Sequence, residues 1–171
     1  MSGAAGTGID LGALTQEQRL ELARALRDAE ADEDRRKIIE DRKARREREW
    51  EDRLKGISRR EQPWLLWRGA LLKGERVLLK RIELNEAVPP GETLVERMRR
   101  EEKVKADRET IGEIHNGSDA PQFGGLRGSL HVLGITVDPT SPNKSLRHTE
   151  KMLAMFADER AKVEKERESI K

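Results

Sequence analysis

Histidine is the side chain best suited to proton transfer near neutral pH, and this chain has three. His115, His131 and His148 lie far apart in the sequence, and no H-x-x-x-H pair occurs. Two histidines one helical turn apart are the pattern that binds a catalytic zinc ion. The spacing therefore favours isolated loop or surface histidines, and we expect no metal site and no histidine base.

Other candidate catalytic groups also lack a suitable context. The chain has no cysteine, so thiol nucleophiles and thiolate metal sites are excluded. The G-x-x-G motif in residues 124–128 resembles the phosphate-clamping loop of KH-type RNA binders, but prolines and a predicted strand follow where that module needs a helix. Ser129, Ser141 and Ser145 lack a nucleophile-elbow sequence. We interpret the protein as not an enzyme and expect no cofactor.

A cluster of basic side chains could bind phosphates. Residues 30–53 contain 19 charged residues out of 24, ten acidic and nine basic. Opposite charges recur four residues apart, as in Glu33 with Lys37, which is the spacing that supports a helix. A solvated helix is the favoured interpretation, with binding along a polyanion, or to a partner helix or protein groove, as alternatives. The candidate phosphate contacts are Arg42, Lys43, Arg45, Arg46 and Arg48.

The composition limits how these residues can be positioned. Of the 171 residues, 35% are hydrophobic, 40% are charged and 3% are aromatic, so a conventional core is poorly supplied. The formal net charge of only +2 is not typical of a protein that coats nucleic acid. We predict a mostly α, extended and non-globular arrangement of about four helices. Residues 1–14 are expected to be flexible, and 15–57 to form one long charged helix that begins at a Thr15–Gln18 capping box.

A strongly amphipathic helix is predicted to begin at Pro63. Apolar doublets follow at intervals of seven residues, and Gly69 and Gly74 interrupt them or allow close approach of another backbone. The apolar stripe packs on this chain's own helices, docks on a partner, or lies on a membrane surface. With two residues of the last helix, it supplies the candidate partner-binding residues: Trp64, Leu65, Trp67, Leu71, Leu78, Leu153 and Phe156.

The rest of the chain divides at Gly and Pro clusters. Helices are predicted over 63–116, with a stop at Asn116-Gly117, and over 144–171. The Gly- and Pro-rich stretch 117–143 is predicted to be extended, with a strand at 130–137.

These features predict a structural or accessory subunit that braces neighbouring chains in a large assembly. Its expected partners are other protein subunits, and the hosts considered are respiratory or ATP-synthesising complexes, ribosome-like particles, virions and the cytoskeleton. A nucleic-acid-associated protein of a ribonucleoprotein particle and a self-associating coiled-coil adaptor are the alternatives. No targeting signal or run of ~20 apolar residues occurs, so we expect an intracellular or organelle-interior protein, soluble or in peripheral contact with a membrane.

Overall fold

The fold consists of α-helices and connecting loops. A computed structural model describes residues 14–117 and 125–170, and these ranges contain four helices and no strand. The helices are α1 (Gln16–Glu86), α2 (Leu94–Asn116), α3 (Gly125–Val132) and α4 (Leu146–Ser169). The prediction of a mostly α protein with about four helices is confirmed. The segment expected to be flexible, apart from Leu14, lies outside the described residues.

The chain divides into two compact units, residues 1–49 and 50–171. In the first unit, α1 begins with reciprocal hydrogen bonds: the Thr15 amide donates to Gln18 Oε1 at 3.0 Å, and the Gln18 amide donates to Thr15 Oγ1 at 3.3 Å. These bonds satisfy amides that have no partner within the helix. The predicted capping box is confirmed.

Residues 16–49 of α1, here called the charged segment, bury no side chain, and the structure describes all of them. From 15 to 46 every residue is exposed except the half-buried Leu22. Lys37 pairs with Glu33 at 2.8 Å, and Arg45 pairs with Glu49 at 3.2 Å. Ion pairs four residues apart along the helix therefore help to support it, as predicted from the charge spacing.

The helix break predicted between residues 57 and 63 is wrong, because α1 continues through Pro63 and both following glycines. An internal proline removes a backbone hydrogen bond and disfavours a helix by about 3 kcal/mol. Here the side chains of Ile57 and Trp67, on either side of the proline, are only 2% and 1% exposed, so α1 is packed both before and after Pro63. Burial of these large side chains opposes the local preference for a break.

The second unit has two clusters of buried side chains. The larger cluster joins α1, α2, α3, the loop after α3 and the start of α4, and it comprises Trp67, Leu71, Leu78, Ile114, Leu126, Leu130, Ile135 and Leu146. The smaller cluster joins only α1 and α4, and it comprises Trp50, Ile57, Phe156 and Val163. The apolar stripe of α1 therefore packs on the chain's own helices.

The strand predicted at 130–137 is wrong, and the stretch 117–143 is not extended throughout, because α3 occupies Gly125–Val132. Residues 130–132 end α3, and the backbone then turns at Gly134, whose φ is +73°. The Ile135 amide donates to the Leu130 carbonyl at 2.9 Å, and the Gly134 amide donates to the His131 carbonyl at 2.9 Å. Together with the burial of Leu130 and Ile135 in one cluster, this pair of bonds is a Schellman helix end.

The remaining helix ends match the sequence more closely. Thr93 caps α2 in a full capping box with Glu96. Asn116 ends α2, and Gly117 follows it with a φ of +85°, as expected for a glycine stop. Ser145 caps α4, so this helix begins at Leu146, inside the predicted range.

Candidate interaction surfaces

Four of the seven predicted anchors lie inside the protein. Trp67, Leu71 and Leu78 are at most 1% exposed in the larger cluster, and Phe156 is 6% exposed in the smaller one. Each therefore contacts this chain's own helices and presents no surface to another protein. The sequence pattern predicted their apolar character correctly but left their packing partner open.

The other three predicted anchors differ in exposure. Trp64 and Leu153 are half-buried, and the Trp64 ring lies 5.8 Å from the His148 ring, between their centres. Leu65 is 45% exposed, and its neighbour Leu66 is 63% exposed. Leu65 is thus the one predicted anchor that is freely accessible.

A groove runs between α1 and the loop that follows α3. Its volume is about 520 Å³, and its apolar surface includes Pro63, Leu66 and Val137. Polar groups lie around it: Arg59, Gln62, Asp138, Thr140 and Ser141. The groove combines an apolar floor with a few polar groups, which is the usual chemistry of a small ligand site or a side-chain pocket.

The polar side of this groove is ordered by local hydrogen bonds. Thr140 donates to Asp138 Oδ1 from its hydroxyl at 2.6 Å and from its amide at 2.7 Å. These bonds, together with the charge of Arg127, lower the pKa of Asp138. Ser141 Oγ is buried and makes no hydrogen bond to any described residue. Asp138 is therefore a fixed negative charge beside the groove.

A series of ion pairs joins α1 to α4. Arg53 contacts Glu166 at 2.6 Å, Arg60 contacts Glu159 at 2.7 Å, and Arg68 contacts Glu150 at 3.6 Å. Glu61 and Arg160 form a further pair in the same seam. These pairs flank the smaller cluster and fix how the two helices align.

Partly buried charges elsewhere in the second unit are also paired between elements. Glu92, before α2, accepts two hydrogen bonds from Arg100, and these bonds and the positive charge lower the pKa of Glu92. Arg81 on α1 contacts the buried Asp107 of α2 at 3.2 Å. The Glu92–Arg100 pair fixes the start of α2, and the Arg81–Asp107 pair joins α1 to α2, so both are structural uses of charge.

The histidines lie on three different helices, although the sequence pattern had placed His131 on a strand. His115 on α2 lies 2.7 Å from Glu75 on α1, measured from Nε2 to Oε1. His131 on α3 is exposed, and His148 on α4 stacks beside Trp64. Within residues 14–117 and 125–170, no three His, Cys, Asp or Glu side chains are grouped to hold a metal ion.

Comparison with protein-family models, curated proteins and solved structures found no match. None of the helices in the described part of the chain is long and apolar enough to cross a membrane.

Among the exposed apolar side chains of the described residues, two groups are considered as contact surfaces. In the charged segment, Leu20, Leu26, Ile38 and Ile39 are between 51% and 57% exposed. In the second unit, the first two turns of α2 carry Leu94, Val95 and Met98, which are 70%, 57% and 61% exposed. We call these three residues the α2 patch. Later in the same helix, by contrast, Val104 and Ile114 are buried.

The five candidate phosphate contacts are all exposed on the charged segment. At 3.6 residues per turn, the five residues spread over about 220° of the helix circumference, with Arg42 near the middle and Lys43 and Arg48 at the two edges. Arg45 is already paired with Glu49. The five side chains therefore form a broad arc and not a narrow basic stripe, and each is accessible.

Proposed function

We propose that this protein is a non-catalytic structural subunit that connects other protein chains in a multi-subunit assembly. The observation that carries the proposal is the charged segment: a helix of about 50 Å with no buried side chain and four exposed leucines and isoleucines. Isolated helices gain little stability from propensity and ion pairs alone. A helix of this kind is more stable when another chain covers it.

The second unit supports the same function. Both of its buried clusters consist of residues from 50–171, and ion pairs join its helices. It also exposes the α2 patch, a group of large apolar side chains on adjacent turns. Exposed apolar groups rimmed by charges are typical of protein contact sites.

Cross-linking tests this proposal directly. The native protein is treated with a lysine-reactive cross-linker before purification, and linked peptides are identified by mass spectrometry. We expect stoichiometric partners, with links from Lys37 and Lys43 of the charged segment to other chains. Lys151 and Lys162 on α4 serve as exposed comparison sites.

A matched pair of variants locates the contact. Replacing Leu26, Ile38 and Ile39 with serine should release the partners, because it removes exposed apolar contact area from the charged segment. Val132→Ser is the control, since Val132 is 84% exposed but lies on α3. Recovery of the chain alone, or full partner retention by the triple variant, contradicts the proposal.

Nucleic-acid binding is the second candidate, supported by five exposed basic residues within seven positions of the charged segment. Neutralising phosphates releases counterions, so such binding weakens steeply with salt. The charge variant Arg42→Gln/Arg46→Gln, which alters one side of the helix, should then lower affinity for RNA and reduce the salt slope. Absence of binding in low salt excludes this candidate.

A further inference from the structure

One side of the charged segment has a regular composition. Leu22, Leu26 and Ala29 follow each other at steps of four and three residues, which places them on one stripe of the helix. Continuing the same steps gives Glu33, Arg36, Glu40 and Lys43, all of them exposed. The stripe is therefore apolar in its first part and alternates in charge sign in its second part. Steps of three and four are the repeat by which two helices pack along each other.

The charges along this segment are also separated by sign. Residues 28–34 contain five acidic residues and no basic one, whereas 35–48 contain eight basic residues and three acidic ones. A second copy lying parallel to the first would place like charges together. A second copy lying antiparallel would place the acidic part of each chain against the basic part of the other.

In one antiparallel register, no charged residue of 27–49 is level with a residue of like charge. It is the register in which Ile38 of one copy lies level with Ile38 of the other. Wherever two charged residues of 27–49 are then level with each other, their charges are opposite. The level pairs are Arg27 with Glu49, Asp28 with Arg48, Glu30 with Arg46, Glu33 with Lys43, Asp34 with Arg42, Arg35 with Asp41 and Arg36 with Glu40. A shift of one residue either way opposes like charges, namely Asp34 with Asp41 or Arg35 with Arg42.

We propose that the charged segment binds a second copy of itself as an antiparallel helix pair in this register. Two of the opposite-charge pairs, Glu33 with Lys43 and Arg36 with Glu40, lie on the stripe that carries Leu22, Leu26 and Ala29. The interface is two-fold symmetric, as contacts between identical chains usually are. Charge pairs across such an interface set orientation and register more than affinity. The proposal rests on the proposed function, since it names one partner of the same exposed helix.

Cysteine cross-linking tests the orientation, and the natural absence of cysteine makes each introduced thiol unique. Full-length Glu33→Cys and Lys43→Cys proteins are mixed and treated with a short bis-maleimide. An antiparallel pair gives the mixed 33–43 product, whereas a parallel pair gives 33–33 and 43–43 products. Ala31→Cys with Arg45→Cys is the control, because these level positions lie on the opposite side of the helix.

Charge reversal tests the register. In sedimentation equilibrium of the full chain, Glu33→Lys and Lys43→Glu should each weaken dimerisation by about tenfold, because each replaces two attractive contacts per dimer by repulsive ones. The double variant restores both contacts and should restore the affinity. Added salt should weaken the wild-type dimer.

The outcomes separate this inference from the proposed function. A chain that stays monomeric and gives no 33–43 product, yet retains its other protein partners, overturns the antiparallel pair and leaves the assembly function standing. Single variants without effect, or a double variant weaker than both, overturn the register. A dimer in the absence of any further partner supports the pair and contradicts membership of a larger assembly.

Discussion

Arg53 on α1 donates from Nη1 to Glu166 Oε2 in the last turns of α4, across 2.6 Å. Seven residues further along α1, Arg60 contacts Glu159, which lies seven residues earlier on α4. Seven residues are about two helical turns, so the two helices run antiparallel in a fixed register. Ile57 of α1 and Phe156 of α4 are buried in the cluster that these ion pairs flank.

The first prediction concerns the pH dependence of this seam. The hydrogen bond and positive charge of Arg53 lower the pKa of Glu166 in the folded state. A carboxylate with a lowered pKa stabilises the fold above its unfolded pKa, and this stabilisation is lost as the pH falls through the folded pKa. We expect the wild-type melting temperature to fall on acidification below about pH 5, and Glu166→Gln to reduce that dependence.

Glu164→Gln is the matched control for this experiment, because Glu164 is exposed and two residues away on α4. Its melting temperature should follow the wild-type pH dependence. Equal pH profiles for the two variants, measured by circular dichroism, would exclude a contribution of the Arg53–Glu166 pair.

The second prediction compares two glycines of α1. A Cβ at Gly74 would overlap Leu130 Cδ2, a terminal atom of a fully buried side chain, whereas a Cβ at Gly69 would meet no atom within 4 Å. Gly69→Ala should stabilise the protein by about 0.5–1 kcal/mol through helix propensity. Gly74→Ala gains the same propensity but overpacks the core, which costs about 1–3 kcal/mol.

The measurement for both glycines is urea denaturation followed by circular dichroism. We expect the alanine at position 74 to be less stable than the alanine at position 69 by about 1–3 kcal/mol. Equal gains at both positions would show that α3 does not pack closely on α1.

The third prediction distinguishes two tryptophans that the sequence treats alike. Trp67 is 1% exposed, and its Nε1 donates to the Lys144 carbonyl at 2.6 Å. Trp67→Phe leaves that carbonyl without its partner and removes buried volume, so we expect a loss of about 2 kcal/mol or more in the free energy of unfolding. Trp64→Phe, at a half-buried position, should cost less than about 1 kcal/mol. Similar losses at both positions, measured in urea, would contradict the distinct roles of the two rings.

Local signals in the sequence predicted the helix ends well where a side chain caps the nearby backbone or a glycine ends the helix. The Thr15–Gln18 box and the Asn116-Gly117 stop depend on neighbouring residues only, and both are present in the structure. The end of α3 carried a similar signal in Gly134 followed by the apolar Ile135. The alternation of β-branched residues there favoured a strand instead, because the Schellman end depends on Leu130 and Ile135 meeting in the core.

The candidate site was harder to predict because its exposure depends on contacts between distant residues. Helical spacing identified Trp67 and Leu65 as members of one apolar region, but only the loop and helices packed on α1 bury Trp67 and leave Leu65 accessible. The exposure of the α2 patch was hard to predict for the same reason. Its residues are large and apolar, as are the buried Val104 and Ile114 later in that helix. Pro63 gave a misleading local signal, since tertiary burial on both sides keeps α1 continuous.

The fourth prediction concerns the start of α2. Thr93 Oγ1 accepts the Glu96 amide at 3.3 Å, and the Thr93 amide donates to Glu96 Oε2 at 2.9 Å. Thr93→Ala removes one side of this box and should destabilise the protein by about 1 kcal/mol. Thr110→Ala is the control within the same helix, where the hydroxyl only bonds back to the Ala106 carbonyl and alanine is the better helix former. Equal losses in thermal unfolding would contradict a specific capping role.

The fifth prediction concerns the charged segment, whose residues are exposed and whose ion pairs Asp32–Arg35, Glu33–Lys37 and Arg45–Glu49 are each open to solvent. A helix with little packing opens locally at low free-energy cost. Amides of residues 20–46 should therefore exchange with deuterium much faster in the dilute protein than amides of residues 67–82, which lie in the larger cluster. Added salt should speed exchange in the charged segment only, because it screens exposed pairs.

Ala31→Gly, which lowers helix propensity by about 1 kcal/mol, should raise exchange in 20–46 and leave 67–82 unchanged. The exchange is measured by mass spectrometry of matched peptides. Equal protection of the two regions would mean that the charged segment is packed in the isolated protein and needs no other chain to cover it.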